Sequence, residues 1–240
     1  MRWLALISVA FLAGCVTTTE QPRPDAPAPD TAPTRTVQQS VKTPTNGQIA
    51  RFKQVVTRVE PVAERTCKSQ APALNCDFKI VVDDRRNLPP NAFQTLDRSG
   101  RPILAFTLSL IADAANEDEL AFVLSHEAAH HIAGHIPRQQ QNAMAGAILL
   151  GGLATLAGVS PTAVDAATNV GASVGARSYS KDFELEADAI GTVIAKRAGY
   201  NPVRGAEYFN RIPDPGDRFL GTHPPNKQRI ETVRRVNAQM

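Results

Sequence analysis

The chain has 240 residues and a formal net charge of +3, and 42% of its residues are hydrophobic. A charge this small, without a basic run interleaved with aromatic residues, argues against a nucleic-acid partner. The length is sufficient for one domain with a substantial core beside a leader and a linker.

The first fourteen residues have the pattern of a bacterial export signal. Arg2 precedes an apolar run from Trp3 to Ala13, which is too short to span a membrane. The tetrapeptide LAGC that ends at Cys15 resembles the lipobox of bacterial lipoproteins, so we expect a lipid on this cysteine. The alternative is an ordinary signal peptide cut nearby. Because Val16 is not acidic, the pattern favours the outer membrane over the inner one, with the domain facing the periplasm.

The next segment, residues 15–47, is rich in proline and almost free of large apolar residues after the cysteine. Such a segment cannot bury a core, so we predict a disordered or polyproline-II tether between the anchor and the domain. The folded domain is then predicted to cover residues 48–240.

An amphipathic helix is predicted to open the domain, since the apolar residues between Ile49 and Val59 fall on one stripe. Cys67 and Cys76 follow, and in an oxidising compartment they are expected to form a disulfide. The segment DFKIVVDD then predicts a strand, and the sequence around Ser99 and Gly100 predicts a hairpin.

The segment SHEAAHHIAGH holds four histidines and one glutamate. Asn116, an acidic first turn and Gly134 predict a helix over about residues 117–133. In that helix His126 and His130 lie one turn apart on one face and can bind one metal ion. The alternative is a set of hydrogen-bonded core histidines.

An uncharged apolar segment follows at residues 143–159. Its length is at the lower margin for a membrane span. Three interpretations remain open: a buried or groove-lining helix, a membrane-surface contact or lid, and a true span. The glycine and threonine content argues against the span.

A further helix is predicted from YSKDFELEADAIGTVIAKRAG, with Glu184 and Asp188 one turn apart on it. Later in the chain His223 precedes two prolines. Asn226 can then cap a terminal helix.

Catalytic zinc commonly has three protein ligands and an open position for water. We expect one zinc ion per chain, bound by His126, His130 and Glu184. Asp188 is expected to accept the free ring N–H of a ligating histidine and so fix its tautomer.

Glu127 projects about 100 degrees round the helix from His126, so it can reach the water rather than the metal. It is the expected general base. His223 is the expected donor to the oxyanion that develops during attack.

The motifs HEAAH, ELEAD and THPPNKQRI, in this order, resemble the gluzincin endopeptidases that include the heat-shock protease HtpX, the CaaX prenyl proteases and the periplasmic proteases BepA and LoiP. The resemblance implies a zincin-like α+β domain, mostly helical, with a small sheet beside the active-site helix. It implies the same zinc ligands and general base. It also places Asn91, Ala92 and Arg229 among the substrate-binding residues, the first two on an edge strand that pairs with the substrate backbone.

Three other titratable residues near these motifs are predicted to lie outside the site. His131 and His135 are off the face shared by the two ligand histidines, so we expect them to face solvent or to form hydrogen bonds. Glu186 points away from Glu184 and is expected to be a surface charge.

Together these features predict a zinc endopeptidase, anchored by lipid in the bacterial envelope, that cleaves misfolded or misassembled envelope proteins. One rival is a non-hydrolytic, zinc-containing chaperone or assembly factor that binds outer-membrane clients through residues 143–159. The other is a latent protease, in which His223 occupies the fourth zinc position until substrate displaces it.

Overall fold

The computed structural model describes residues 41–178, 180–216 and 223–240. The export signal, Cys15 and the tether as far as residue 40 lie outside the described residues. Residues 39–240 form one compact unit. In chain order the elements are α1 (Asn46–Gln70), β1 (Lys79–Asp83), β2 (Ala92–Leu96), β3 (Pro102–Thr107), α2 (Leu108–Asp113), α3 (Glu117–Ile132), α4 (His135–Leu156), α5 (Pro161–Arg177), α6 (Ser180–Arg197), α7 (Pro202–Gly205), a 3-10 helix (Ala206–Asn210) and α8 (Asn226–Ala238). The predicted α+β class, mostly helical with a small sheet, is confirmed.

The fold begins earlier than the predicted boundary after residue 47. Thr45 caps α1: its hydroxyl accepts a hydrogen bond from the Gln48 amide at 3.2 Å, and the Gln48 side chain accepts one from the Thr45 amide at 2.9 Å. Lys42 forms an ion pair with Asp113 at 2.7 Å. The capping box and the ion pair assign these residues to the domain rather than to the tether.

The main core lies between α1, the sheet and α3, as the amphipathic stripe of α1 predicts. The rings of Phe52 and Phe106 pack with centroids 5.0 Å apart. This core supports α3 along the side away from the cleft. Its most buried side chains include Val55, Val59, Leu104, Phe106, Leu120 and Leu124.

A disulfide joins Cys67 and Cys76, linking the last turn of α1 to the chain before β1. Loop-closure entropy predicts that replacing both cysteines with serine lowers the free energy of unfolding by roughly 2 to 3 kcal/mol. Urea unfolding of the two proteins measures the difference. A double variant as stable as the parent would show that strain in the bridged state cancels the gain.

Helices α3 and α6 pack with their backbones unusually close together. A Cβ added to Gly191 of α6 would lie 3.0 Å from the backbone nitrogen of His126. Glu184 and Asp188 precede Gly191 by seven and three residues and therefore share its face of the helix. The glycine thus brings both carboxylates against the histidine face of α3.

The uncharged segment at 143–159 belongs to an antiparallel helical hairpin, α4 and α5. Within α4 only His135 and Gly151 are buried, and the large apolar side chains of the predicted segment are exposed. The interpretation as a buried helix is therefore wrong. Among the described residues no helix is long and apolar enough to cross a membrane.

The terminal helix α8 begins as predicted, but its cap differs. Pro225 occupies the N-cap position, and Asn226 is the first residue of the helix. The Asn226 side-chain amide instead donates to the carbonyl oxygens of Phe209 at 2.8 Å and Ile212 at 3.2 Å. These bonds join α8 to the 3-10 helix rather than to its own first turn.

Candidate metal centre

Three predicted ligand side chains meet in a buried position between α3 and α6. The Nε2 atoms of His126 and His130 are 3.0 Å apart. Glu184 places one carboxylate oxygen 3.3 Å from His130 Nε2 and the other 3.6 Å from His126 Nε2. Zinc–ligand bonds of about 2.05 Å in a tetrahedron require ligand atoms about 3.3 to 3.4 Å apart. The donor types and their spacing therefore fit a zinc ion.

Glu184 is a carboxylate at neutral pH despite its burial. Burial alone would raise its pKa, but in the metal-free site the neighbouring His130 and His223 and the charge of Arg229 outweigh this effect. The pKa is held well below its usual value as a result. An ionised oxygen is what a metal ligand must offer.

Asp188, which is completely buried, fixes the orientation of His126. Its carboxylate accepts a hydrogen bond from the His126 Nδ1–H at 2.9 Å, which leaves Nε2 with its lone pair. Burial raises the pKa of Asp188, but Arg229 and His126 together lower it below the usual value.

Arg229 lines the cleft and forms buried ion pairs there. It is 7% exposed, and its guanidinium donates to both Asp188 oxygens at 2.8 and 2.7 Å. The remaining guanidinium nitrogen, Nη1, lies 3.4 Å from a Glu184 carboxylate oxygen. The guanidinium carbon, Cζ, lies 3.9 Å from the Phe209 ring centroid. These donors are thus directed at Asp188 and Glu184, and the substrate-binding role of Arg229 stays a prediction.

His130 is oriented by a histidine that sequence reasoning placed outside the site. Its Nδ1 lies 2.8 Å from Nδ1 of His135, whose Nε2 lies 3.2 Å from a Glu186 oxygen. If His130 Nε2 carries a lone pair, one tautomer assignment satisfies both hydrogen bonds. His130 Nδ1–H then donates to His135 Nδ1, and His135 Nε2–H donates to Glu186. Burial lowers the pKa of His135 to about 4, which keeps it neutral.

The positions of the three remaining residues differ from expectation in part. His135 and His131 are both buried, so the solvent-facing alternative is wrong and the hydrogen-bonding alternative is right; His131 Nε2 lies 2.8 Å from the Asn75 carbonyl oxygen. Glu186 is partly exposed but also accepts from Arg138 at 2.7 Å. The sequence feature that could have placed His135 in the site is Gly134, whose left-handed φ of 65° turns the chain back toward α3.

The three ligand residues lie on the wall of an open cleft of about 620 Å³, together with Glu127 and His223. The Glu127 carboxylate has no hydrogen bond or ion pair among the described residues, so it is free to bind water or take up a proton. His223 is half-exposed, and its Nδ1 lies 3.1 Å from a Glu184 oxygen. The three predicted ligands, the predicted base and the predicted oxyanion donor thus line the same cleft.

Strand β2 forms the edge of the sheet next to this cleft, with the strand order β1-β3-β2. The Thr107 amide donates to the Asn91 carbonyl oxygen, and the Asp97 amide donates to the Arg101 carbonyl oxygen, across β2 and β3. In an antiparallel ladder the intervening residues alternate, so Ala92, Gln94 and Leu96 direct their backbone groups outward. Asn91 and Ala92 line the cleft, as predicted.

The His-Glu-x-x-His helix, with a third ligand from a second helix and an edge strand beside it, is the arrangement of a metallopeptidase. The comparison with family models agrees with this class. Residues 50–237 match Peptidase family M48, and the chain belongs to that family.

Several curated proteins are similar to this chain. The putative beta-barrel assembly-enhancing protease of Vibrio cholerae is 31% identical over 148 residues, 55% of this chain and 30% of that protein. The beta-barrel assembly-enhancing protease of Escherichia coli O157:H7 is 33% identical over 142 residues, 52% of this chain and 28% of that protein. The mitochondrial metalloendopeptidase OMA1 of Saccharomyces cerevisiae is 28% identical over 169 residues, which are 65% of this chain and 46% of that protein. Each match covers less than half of the relative's length.

Proposed function

We propose that this chain is a zinc-dependent endopeptidase with Glu127 as its general base. The observation that carries the proposal is the spacing of the three ligand atoms of His126, His130 and Glu184 in a cleft beside a free strand edge. Imidazole and carboxylate ligands with one open position suit catalytic zinc. The experiment that tests it compares the parent with Glu127→Gln, as set out in the Discussion.

The ligand side chains are held before any metal arrives. Asp188 fixes the tautomer of His126, and His135 fixes that of His130, so both Nε2 lone pairs point to one place. Zinc bound there would polarise a water molecule and the scissile carbonyl group. The chain itself supplies the proton transfers and the orientation of the peptide.

Glu127 takes a proton from the attacking water as the water oxygen bonds to the carbonyl carbon. It then delivers that proton to the leaving nitrogen as the C–N bond breaks, so the carboxylate is regenerated in each cycle. Its position on α3, one residue after a ligand, directs it into the cleft rather than at the ligand set. The absence of a competing partner among the described residues keeps it available.

Substrate is bound through its backbone in this proposal. Ala92 and Gln94 present outward amide and carbonyl groups beside the cleft, and an extended peptide can pair with them as an added strand. Backbone pairing places few demands on side chains. An extended, unfolded segment is therefore the substrate that the cleft admits.

His223 acts as a hydrogen-bond donor to the developing oxyanion. Replacing it with alanine is expected to lower kcat by roughly 10² to 10³, with little change in metal content. Peptide hydrolysis and metal analysis on the same preparation measure this. A rise in basal activity would instead support the latent protease, in which His223 blocks the fourth zinc position.

His135 is expected to support metal binding. His135→Leu removes the acceptor for His130 Nδ1–H and should weaken zinc affinity by about 10- to 100-fold, measured by competition with a chromophoric chelator. His135→Gln restores an acceptor and should recover part of the affinity. His131→Gln is the matched control, because His131 bonds to Asn75 and not to a ligand. Equal losses in the Leu and Gln variants at position 135 would contradict a hydrogen-bonding role.

We further propose that the enzyme acts on misfolded or misassembled proteins of the bacterial envelope. A lipid on Cys15 would anchor it in the outer membrane, with the domain facing the periplasm. The leader, the LAGC tetrapeptide and the similarity to beta-barrel assembly-enhancing proteases support this location. Outer-membrane assembly proteins are the partners that such a location suggests. The competing function is a non-hydrolytic assembly factor; cells in which Glu127→Gln fully replaces the parent would favour it.

A further inference from the structure

The hairpin of α4 and α5 has its small residues inside and its large apolar residues outside. A Cβ on Gly146 would collide with the Gly171 carbonyl group, and one on Gly175 would collide with that of Asn142. At these two positions the backbones therefore touch directly. Leu150 is the large apolar residue of α4 that packs inward, next to Gly171. This packing through small residues is characteristic of helix pairs surrounded by lipid.

The side of α4 that faces away from α5 is a continuous apolar surface, which we call the outer face of α4. Its side chains are between 55% and 86% exposed, and they follow one another at helical spacing. The chain has no charged residue between Arg138 and Asp165. The outer face of α4 consists of Met144, Ile148, Leu149, Leu153 and Leu156.

The exposed surface of α5 is mixed rather than uniformly apolar. On α5 the exposed residues include Asp165, Asn169 and Ser173, with Val170 and Val174 among them. The large exposed apolar residues are thus concentrated on α4, whereas α5 also exposes charged and polar residues. An element of this kind lies at the lipid–water interface rather than across the bilayer.

We propose that the outer face of α4 docks on a lipid bilayer and holds the domain at the membrane surface. A lipid surface fits better than a protein partner, because protein interfaces carry a polar rim and hydrogen-bonding groups that this uncharged face lacks. The lipid predicted on Cys15 would keep a membrane within reach. The hairpin supplies the second contact. This inference is independent of the peptidase chemistry.

Vesicle binding of residues 39–240, which form one compact unit and lack the predicted acyl chain, tests the hairpin by itself. Vesicles of phosphatidylethanolamine and phosphatidylglycerol should carry the parent upward in a flotation gradient. The double variant Leu149→Gln/Leu153→Gln should partition at least about tenfold less, since each leucine loses apolar burial. The matched control is Val170→Gln/Val174→Gln on α5, outside the outer face of α4, which should bind as the parent does. Equal losses in both double variants, or no binding by the parent, would overturn the proposal.

A second measurement uses the full chain reconstituted in the same vesicles. Leu153→Cys and Val170→Cys are each labelled with an environment-sensitive fluorophore, since Cys67 and Cys76 are bridged. Quenchers on the lipid chains should reduce the signal at position 153 and leave that at position 170. Shielding at position 153 that disappears when the protein is diluted at constant lipid would assign the face to a second copy of the chain and overturn lipid docking.

Discussion

Glu127→Gln is expected to lower the rate of peptide hydrolysis by roughly 10² to 10⁴ while metal content stays at one ion per chain. Glutamine keeps the size of the side chain and removes its capacity to accept the proton of the attacking water. The ligand atoms belong to other residues, so metal binding should not change. Hydrolysis of an unfolded protein such as casein and zinc analysis on one preparation measure both quantities.

The matched control for this substitution is Glu186→Gln. Glu186 is also a glutamate near the centre, but it contacts His135 and Arg138 instead of facing the cleft. It should retain most of the parent's activity. Hydrolysis by Glu127→Gln at the parent's rate would exclude Glu127 as the base, and metal without hydrolysis in either protein would indicate a gated or structural site.

The second large effect is expected from the buried pair of Asp188 and Arg229. Asp188→Leu alone removes the main partner of a buried guanidinium, and Arg229→Met alone removes the main partner of a buried carboxylate. Each single change should lower the free energy of unfolding by about 3 to 5 kcal/mol, and the double variant should lose less than the sum. Urea unfolding of the metal-free proteins measures this without a contribution from zinc.

An exposed ion pair on α8, the helix that carries Arg229, provides the comparison for the buried pair. Lys227 and Glu231 of α8 lie 3.9 Å apart with both side chains mostly in solvent. Glu231→Ala should leave the free energy of unfolding nearly unchanged, because water screens such a pair. Additive losses at Asp188 and Arg229 would contradict their coupling.

The sequence determined the main helices and the pairs of candidate site residues on each of them, because both depend on local spacing. His126 and His130 are one helical turn apart wherever the helix lies, and Glu184 and Asp188 share a face for the same reason. The capped start of α3, the hairpin at Gly100 and the bridged cysteines also follow from residues close together in the chain. Local rules fix these features before any tertiary contact forms.

Only the tertiary structure decided which side chains support the ligands and which surfaces remain exposed. His135 orients His130 because the left-handed turn at Gly134 redirects the chain, and Arg229 bonds to Asp188 because α8 packs against α6. The segment at 143–159 is apolar enough to be read as buried, yet its hairpin packs through glycines and leaves its leucines outside. Hydrophobicity states what a helix could bury, whereas the packing of its neighbours decides what it does bury.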